Sequence, residues 1–469
     1  MTSATSKHTI TGWDPEDRVA WENGGAAIAR RNLVWSVIAE HIGFSVWSLW
    51  SVMVLFMPAS VYHLSAGDKF LIAATATAVG SVLRLPYTMA TARFGGRNWT
   101  IFSAIVLVVP VVATIVVLAN PGQPLWVYLV CAALTGVGGG NFASSMTNIN
   151  AFYPQRLKGW ALGVNAGGGN LGVPAIQLIG LLVIAVAGNR QPYWVCAVYL
   201  VGLVIAAIGA SRYMNNLDIV SVDTASMRAA LTHRHTWLVA LLYIGTFGSF
   251  IGFSFAFAQV LQISYQSSGQ SAAQASLHAA QIAFLGPLLG SIARVFGGKL
   301  ADRIGGGRIS LYVFVGMIAG AGLLAGTGTV AGKATSGTTL ALYIVGFIAL
   351  FILSGLGNGS VYKMIPSIFD AAARSMPGDE AARAAYSRAM SGAVIGIAGA
   401  IGGLGGVAIN LVLRASYLAN GTATAAFWAF GAFYVVAALV TWRIYVRIPA
   451  GDVPAPVDVP EPAAEPIKA

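Results

Sequence analysis

Apolar runs recur down the chain near residues 32–57, 70–91, 99–119, 125–148, 160–187 and 191–213, and again near 236–262, 279–300, 308–328, 340–366, 387–413 and 422–446. Runs of about 20 apolar residues cross about 30 Å of hydrocarbon as helices, which satisfy their own backbone polar groups without water. The pattern predicts twelve membrane-spanning helices in two groups of six, separated by the polar stretch Asn215–His235. Residues 1–31 have no apolar signal-peptide core and read as an amino-terminal tail. Residues 447–469 mix proline, alanine and acids and read as a disordered carboxy-terminal tail. The expected division is thus a first half over 32–214, a linker over 215–235 and a second half over 236–446.

Composition strengthens this reading. The 469 residues are 57% hydrophobic and 9% charged, whereas a soluble domain carries roughly a quarter charged residues. The net charge of +11 does not point to nucleic acid, because the basic residues sit singly or in pairs between apolar runs. Arg93, Arg97, Arg156, Lys158, Arg212, Arg228, Arg234, Arg303, Arg308, Arg374, Arg383, Arg388, Arg443 and Arg447 fall on one side with both termini. The other side holds little beyond Lys69, Arg190, Lys333 and Arg414, so the positive-inside rule puts both termini in the cytoplasm. Cys131 and Cys196 lie inside apolar runs and suggest no disulfide framework. The six histidines do not cluster within the spans and show no metal-ligand spacing. No metal, cofactor or catalytic constellation is expected, which argues against an enzyme, and the short tails offer no signalling domain for a sensor.

The halves repeat each other. RLPYTMATARFGGR (84–97) aligns with RVFGGKLADRIGGGR (294–308), with Arg84 and Arg294 each nine residues before a second arginine that opens a Gly-Gly turn. GVGGG (136–140) answers GLGNG (355–359), and GVNAGGGNLGV (163–173) answers GIAGAIGGLGGV (396–407). Duplicated six-helix halves are the organisation of secondary transporters, whose site lies between the halves near the midplane.

GGKLADRIGGGR resembles the loop motif of the major facilitator superfamily, with Asp302 and Arg303 as its acid–base pair; the first-half copy keeps Arg93 and Arg97 but has Ala92 at the acid position. GGGNFASSMTNINAFYP, KGWALGVNAGGGNLGV and GLGNGSVYKMIPSIF resemble the signature segments of the nitrate/nitrite porter family, the bacterial NarK type. The resemblance implies an all-α major facilitator fold of twelve helices in two pseudo-symmetric halves, a monomer in the bacterial cytoplasmic membrane, with nitrate and nitrite as cargo. It also implies aromatic walls to the site. Phe142 lies beside GGGN, Tyr243 and Phe247 share a helix face, and Phe44 matches an aromatic position of the first helix. Asn165 and Asn170 fall in the family's most specific segment, which places them near the substrate.

Arg84 and Arg294 carry the chemistry. An arginine at mid-membrane costs at least about 2.5–3.5 kcal/mol, so it either snorkels, pairs with an acid or binds an anion. Glu40 is the one acid inside an apolar run and cannot neutralise two arginines. A guanidinium donates two parallel hydrogen bonds to a flat oxyanion such as nitrate, so both arginines are expected as direct ligands. Like charges in a dry cleft repel until an anion binds, which favours exchange of nitrate for nitrite. Proton-coupled symport is the alternative, for which Glu40 followed by His41 is the candidate pair; these residues equally suit a place near the cytoplasmic end that fixes topology.

Gly136, Gly140 and Ser144 are spaced four apart on one face, as close helix packing requires. The spacing recurs at Gly163 and Gly167. With Gly169, and with Gly355, Gly357 and Gly359 in the second half, these glycines are expected to pack helices closely and to let them bend or slide. Asn141 and Asn148 read as ties for the glycine-weakened backbone.

Overall fold

The computed structural model describes residues 8–188, 191–218, 224–332 and 335–447. Arg190, Lys333 and most of the carboxy-terminal tail lie outside the described residues, as does the side chain of Arg388. The described residues form a bundle of twelve long helices, the bent first one taken as a single span. Those of the first half are α1 (Arg18–Trp47, continued after a 45° bend as Leu49–Phe56), α2 (Ala66–Phe94), α3 (Gly96–Ala119), α4 (Leu125–Phe152), α5 (Arg156–Ala187) and α6 (Tyr193–Tyr213). Those of the second are α7 (Arg234–Ser267), α8 (Ala272–Ile304), α9 (Gly306–Ala331), α10 (Gly337–Arg374), α11 (Ala385–Asn420) and α12 (Thr424–Val446). All twelve expected runs are found. Several helices run past the apolar stretch into polar sequence, α10 as far as Arg374, because helical hydrogen bonding does not stop where the hydrocarbon does. Exposed tryptophans ring both ends of the bundle, Trp126, Trp194 and Trp428 at one and Trp160, Trp237 and Trp442 at the other, as side chains with an apolar body and one N–H do at a membrane interface.

The described part of the amino-terminal tail packs down. Strand β1 (Thr9–Ile10) pairs in parallel with β2 (Asn216–Leu217) of the linker, and the Gly12 N–H donates to Asp218 Oδ2 at 3.2 Å. Trp13 meets Phe152 edge-on at 5.5 Å and Trp21 meets Tyr153 at 5.7 Å. The tail and the start of the linker therefore form one cap on the first half, because Trp13 and Trp21 of the tail bury apolar area that a polar-looking stretch conceals. The linker helix Thr224–Thr232 packs instead against α11.

The halves meet along α2 and α11, and along α5, α7 and α8. On α11, Gly392, Gly396, Gly399, Gly403 and Gly406 are spaced by four and three, one face of a helix. Gly403 abuts Ser81 and Gly406 abuts Thr77, both on α2. Nearby, the Gln177 amide donates to Ser254 O at 2.9 Å, Gln259 to Ala66 O at 2.8 Å and Gln262 to Leu55 O at 3.3 Å, and Phe70 stacks on Tyr417 at 5.4 Å. All of these join one half to the other on the side away from the termini. Toward the side where α5 and α11 begin, a side chain added at Gly163, Gly167, Gly392 or Gly396 would meet nothing within 4 Å. The bundle is sealed at one end and parted at the other.

Candidate functional site

Five interruptions of regular helix cluster at mid-bundle: Ser48 in α1, Leu83 in α2, the tightened turn Val137–Gly140 in α4, Leu171 in α5 and the widened turn Ile244–Gly248 in α7. Such turns re-aim side chains and recur at functional sites. Here they flank Trp47, Arg84, Phe142, Asn170, Tyr243 and Phe247.

Arg84 is 1% exposed. Its guanidinium lies 4.5 Å from the Phe247 ring centre, 4.9 Å from Phe142 and 5.5 Å from Trp47, and its Nη1 donates to Gly399 O at 2.9 Å. Arg294, half-buried, comes from the other half to within 5.8 Å of the same Phe142 ring and 5.5 Å of Tyr362. One phenyl ring thus contacts both cations. Neither arginine forms an ion pair with an acid among the described residues. Nε and Nη2 of Arg84 and Nη1 of Arg294 are buried without a hydrogen-bond partner. A buried charged donor left unmatched is costly, so these N–H groups are suited to an acceptor that the protein itself does not supply.

The aromatic wall is only partly the expected one. Tyr243 stacks on Phe247 at 5.1 Å and lies 4.6 Å from Tyr362. Phe44 sits one layer back, 5.2 Å from Trp47 and 6.0 Å from Phe142. Trp47 and Tyr362 are the rings that sequence reasoning missed. Trp47 lies three residues beyond Phe44, and Tyr362 stands in the quoted segment GLGNGSVYKMIPSIF, where attention went to the glycines.

The two asparagines diverge. Asn170 is 1% exposed with both amide atoms unpartnered, on the face of α5 that carries Gly163, Gly167 and Gln177. Asn165 instead spends its amide hydrogens on Glu40 Oε2, at 2.7 Å, and on Ser145 Oγ. Glu40 itself is 1% exposed, deep between α1, α4 and α5 rather than at a polar helix end. Asn358 on α10 is wholly buried with an unpartnered amide, a second residue of this kind that the sequence did not single out.

Most of the selected glycines sit where no side chain fits. Gly136 lies against Val79, Gly140 against the Tyr87 ring, Gly169 against the Glu40 carboxyl, Gly355 against the Gly290 backbone, Gly357 against Thr246 and Gly359 against the Arg294 carbonyl. Gly163 and Gly167 are corrections to the packing expectation, since they face the parted end of the seam. In the loop motif, Asp302 pairs with Lys363 Nζ at 2.7 Å, both half-exposed. Arg93 lies over the neighbouring Phe94 ring at 5.5 Å.

Comparison with known proteins bears on this geometry. Residues 41–390 match the family described as Major Facilitator Superfamily. The chain is 35% identical to the nitrate/nitrite transporter NarU of Salmonella typhimurium, over 94% of this chain and 97% of that one. It is 30% identical to the probable nitrate/nitrite antiporter NarK2 of Thermus thermophilus, over 93% and 96%. A crystal structure of the nucleoside transporter NupG, 10% identical, superposes with a TM-score of 0.64 over 88% of this chain and 100% of that one, a likeness of fold alone.

Proposed function

The chain belongs to the major facilitator superfamily and, within it, to the nitrate/nitrite porters, and from this premise we propose that it exchanges nitrate for nitrite at the paired arginines. It is a membrane transporter of these anions and not an enzyme. The observation that carries the exchange reading is the convergence of Arg84 and Arg294, one from each half, on the single Phe142 ring with unmatched N–H donors. A flat oxyanion between the guanidiniums accepts those hydrogens in its plane while the rings of Phe142, Phe247 and Tyr362 exclude water from its faces. Tyr243 and Phe44 support that wall, and Asn170 offers an amide from α5.

Exchange follows from the charge count. Without an anion, closing the parted end brings two cations together in a medium that screens them poorly. With an anion bound, that repulsion is offset, so the loaded carrier switches and the empty one does not. On this reading the parted end is the cytoplasmic one, the side on which the basic loops of the sequence fall. The test is counterflow of labelled nitrate into nitrite-loaded vesicles. Arg84→Lys and Arg294→Lys each remove the planar donor fork and keep the charge; each is expected to lower exchange by about ten- to a hundredfold, as the loss of about 1.5–3 kcal/mol of charged hydrogen bonding predicts. Retained exchange in both variants rejects the site. Wild-type uptake that needs a proton gradient and runs without internal nitrite favours symport.

A further inference from the structure

The sealed end of the seam closes over a cation. Lys69, in the first turn of α2, is 7% exposed, and its Nζ donates to Val54 O of α1 at 3.1 Å. It pairs with no acid among the described residues. The neighbouring Asp68 turns its carboxylate to the Ser65 N–H and hydroxyl, at 2.9 and 2.7 Å. An ammonium carries three donors and is strongly hydrated in water, so burial against one neutral carbonyl leaves most of its solvation unreplaced. Its own helix opposes it as well, because the start of a helix is the positive end of the dipole. The last turn of α1, a negative end, is what favours the charge.

The turns that hold Lys69 and Val54 are gripped from the other half. Gln259 donates to Ala66 O at 2.8 Å, and Ser276 of α8 donates to Leu55 O at 2.8 Å beside Gln262. Phe70 stacks on Tyr417 of α11, and Gly67 abuts Leu418 of the same helix. Lys69 and its carbonyl belong to the first half, whereas every one of these gripping groups belongs to the second. Parting the halves at this end therefore uncovers the ammonium without drawing it off Val54. Arg414 stands across the seam on α11, one turn before Leu418, half-buried and with Nε buried and unpartnered. Among the described residues, Lys69 and Arg414 are the basic side chains of this side, one on each lip.

We propose that Lys69 has two roles in the stroke. Shut, it caps the end of α1; open, with Arg414 on the facing lip, it is an outer station that receives small monovalent anions ahead of the arginine pair. This rests on the exchange reading, which makes the sealed end the external one. Lysine suits the outer role as arginine suits the inner. Its ammonium is a point charge without a planar fork, so it attracts an anion without fixing its geometry and releases it inward. A cleft lined by one sign of charge also raises the local concentration of the opposite ion.

The test uses right-side-out membrane vesicles carrying the full chain. Lys69→Gln keeps a donor for Val54 O and removes the charge. Half-saturating external nitrate is expected to rise about tenfold, while half-saturating internal nitrite stays at the wild-type value, and Lys69→Arg restores the external value. Arg414→Gln, at a half-buried position, gives a smaller external rise of about threefold and carries the test if Lys69→Gln fails to fold. No external rise in either variant, or equal rises on both faces, means a structural cap only and overturns the station. Trinitrobenzenesulfonate, an amine reagent that does not cross the membrane, reads the uncovering directly. Added outside, it should modify the wild-type peptide holding Lys69 at least about tenfold faster while nitrate exchanges for nitrite than in anion-free vesicles. No modification during exchange overturns the proposal. Modification in inside-out vesicles alone reverses the sidedness taken from the exchange reading and leaves the two-state cation standing. Wild-type nitrate uptake without exchange rejects that reading, and the one-sided shift in Lys69→Gln then still supports the station.

Discussion

The same glycine stripe on α11 behaves differently at its two ends. Gly403 and Gly406 are pressed onto α2, whereas Gly396 and Gly392, continuing the same face, meet nothing within 4 Å. On α5, Gln177 reaches Ser254 in the other half while Gly163 and Gly167 face open space. Small residues are needed at the sealed end for a contact already made. At the parted end nothing touches them, and the exchange reading gives them a different task, a smooth surface for the opposite closed state that it requires.

The sealed end should be the least tolerant. Gly403→Leu collides with Ser81, and counterflow is expected to be lost together with a lowered unfolding midpoint; unaltered exchange would mean that the seam is not a closing surface. At the parted end a Cβ meets nothing within 4 Å, so Gly396→Ala and Gly167→Ala keep the unfolding midpoint at or above the wild-type value while exchange falls at least about tenfold, from overpacking of about 1–3 kcal/mol in the opposite closed state. A variant with normal exchange sharpens the comparison by removing that position from the moving surface. Weaker effects are expected from the hydrogen bonds across the sealed end. Gln259→Leu removes about 1 kcal/mol, and a cysteine placed at Thr77 should then react about fivefold faster with an external thiol reagent. Smallest is Asp302→Asn, since a half-exposed pair with Lys363 contributes about 0–1 kcal/mol; exchange within a factor of two is expected, and a larger loss would assign the loop motif a part in switching.

The spans and the arginine pair were legible in the sequence because each rests on a one-dimensional signal: hydropathy for the helices, and a charge where a charge is costly for Arg84 and Arg294. Partner choice was not. Nothing in the spacing of Asn165 and Asn170 says that one turns to Glu40 and the other to the face between the halves. Trp47 and Tyr362 were missed because aromatic residues are common in apolar spans, where most of them meet lipid or other side chains. Gly163 and Gly167 repeat the spacing of true packing glycines, and only the neighbouring helix reveals which of them has something to pack against. The polar partners of Glu40, Ser145 and Asn165, come from separate helices, so no spacing along the chain announces them.

The pairing of β1 with β2 also sets a length. It fastens the connection between the halves to the first half as far as Asp218, and the helix beginning at Thr224 rides on α11 of the second. Six Cα steps join these anchors, and a fully extended chain covers at most about 3.6 Å per step. However the halves rock, those two points can never stand more than about 22 Å apart, so the cap on the first half puts an upper bound on the amplitude of the stroke.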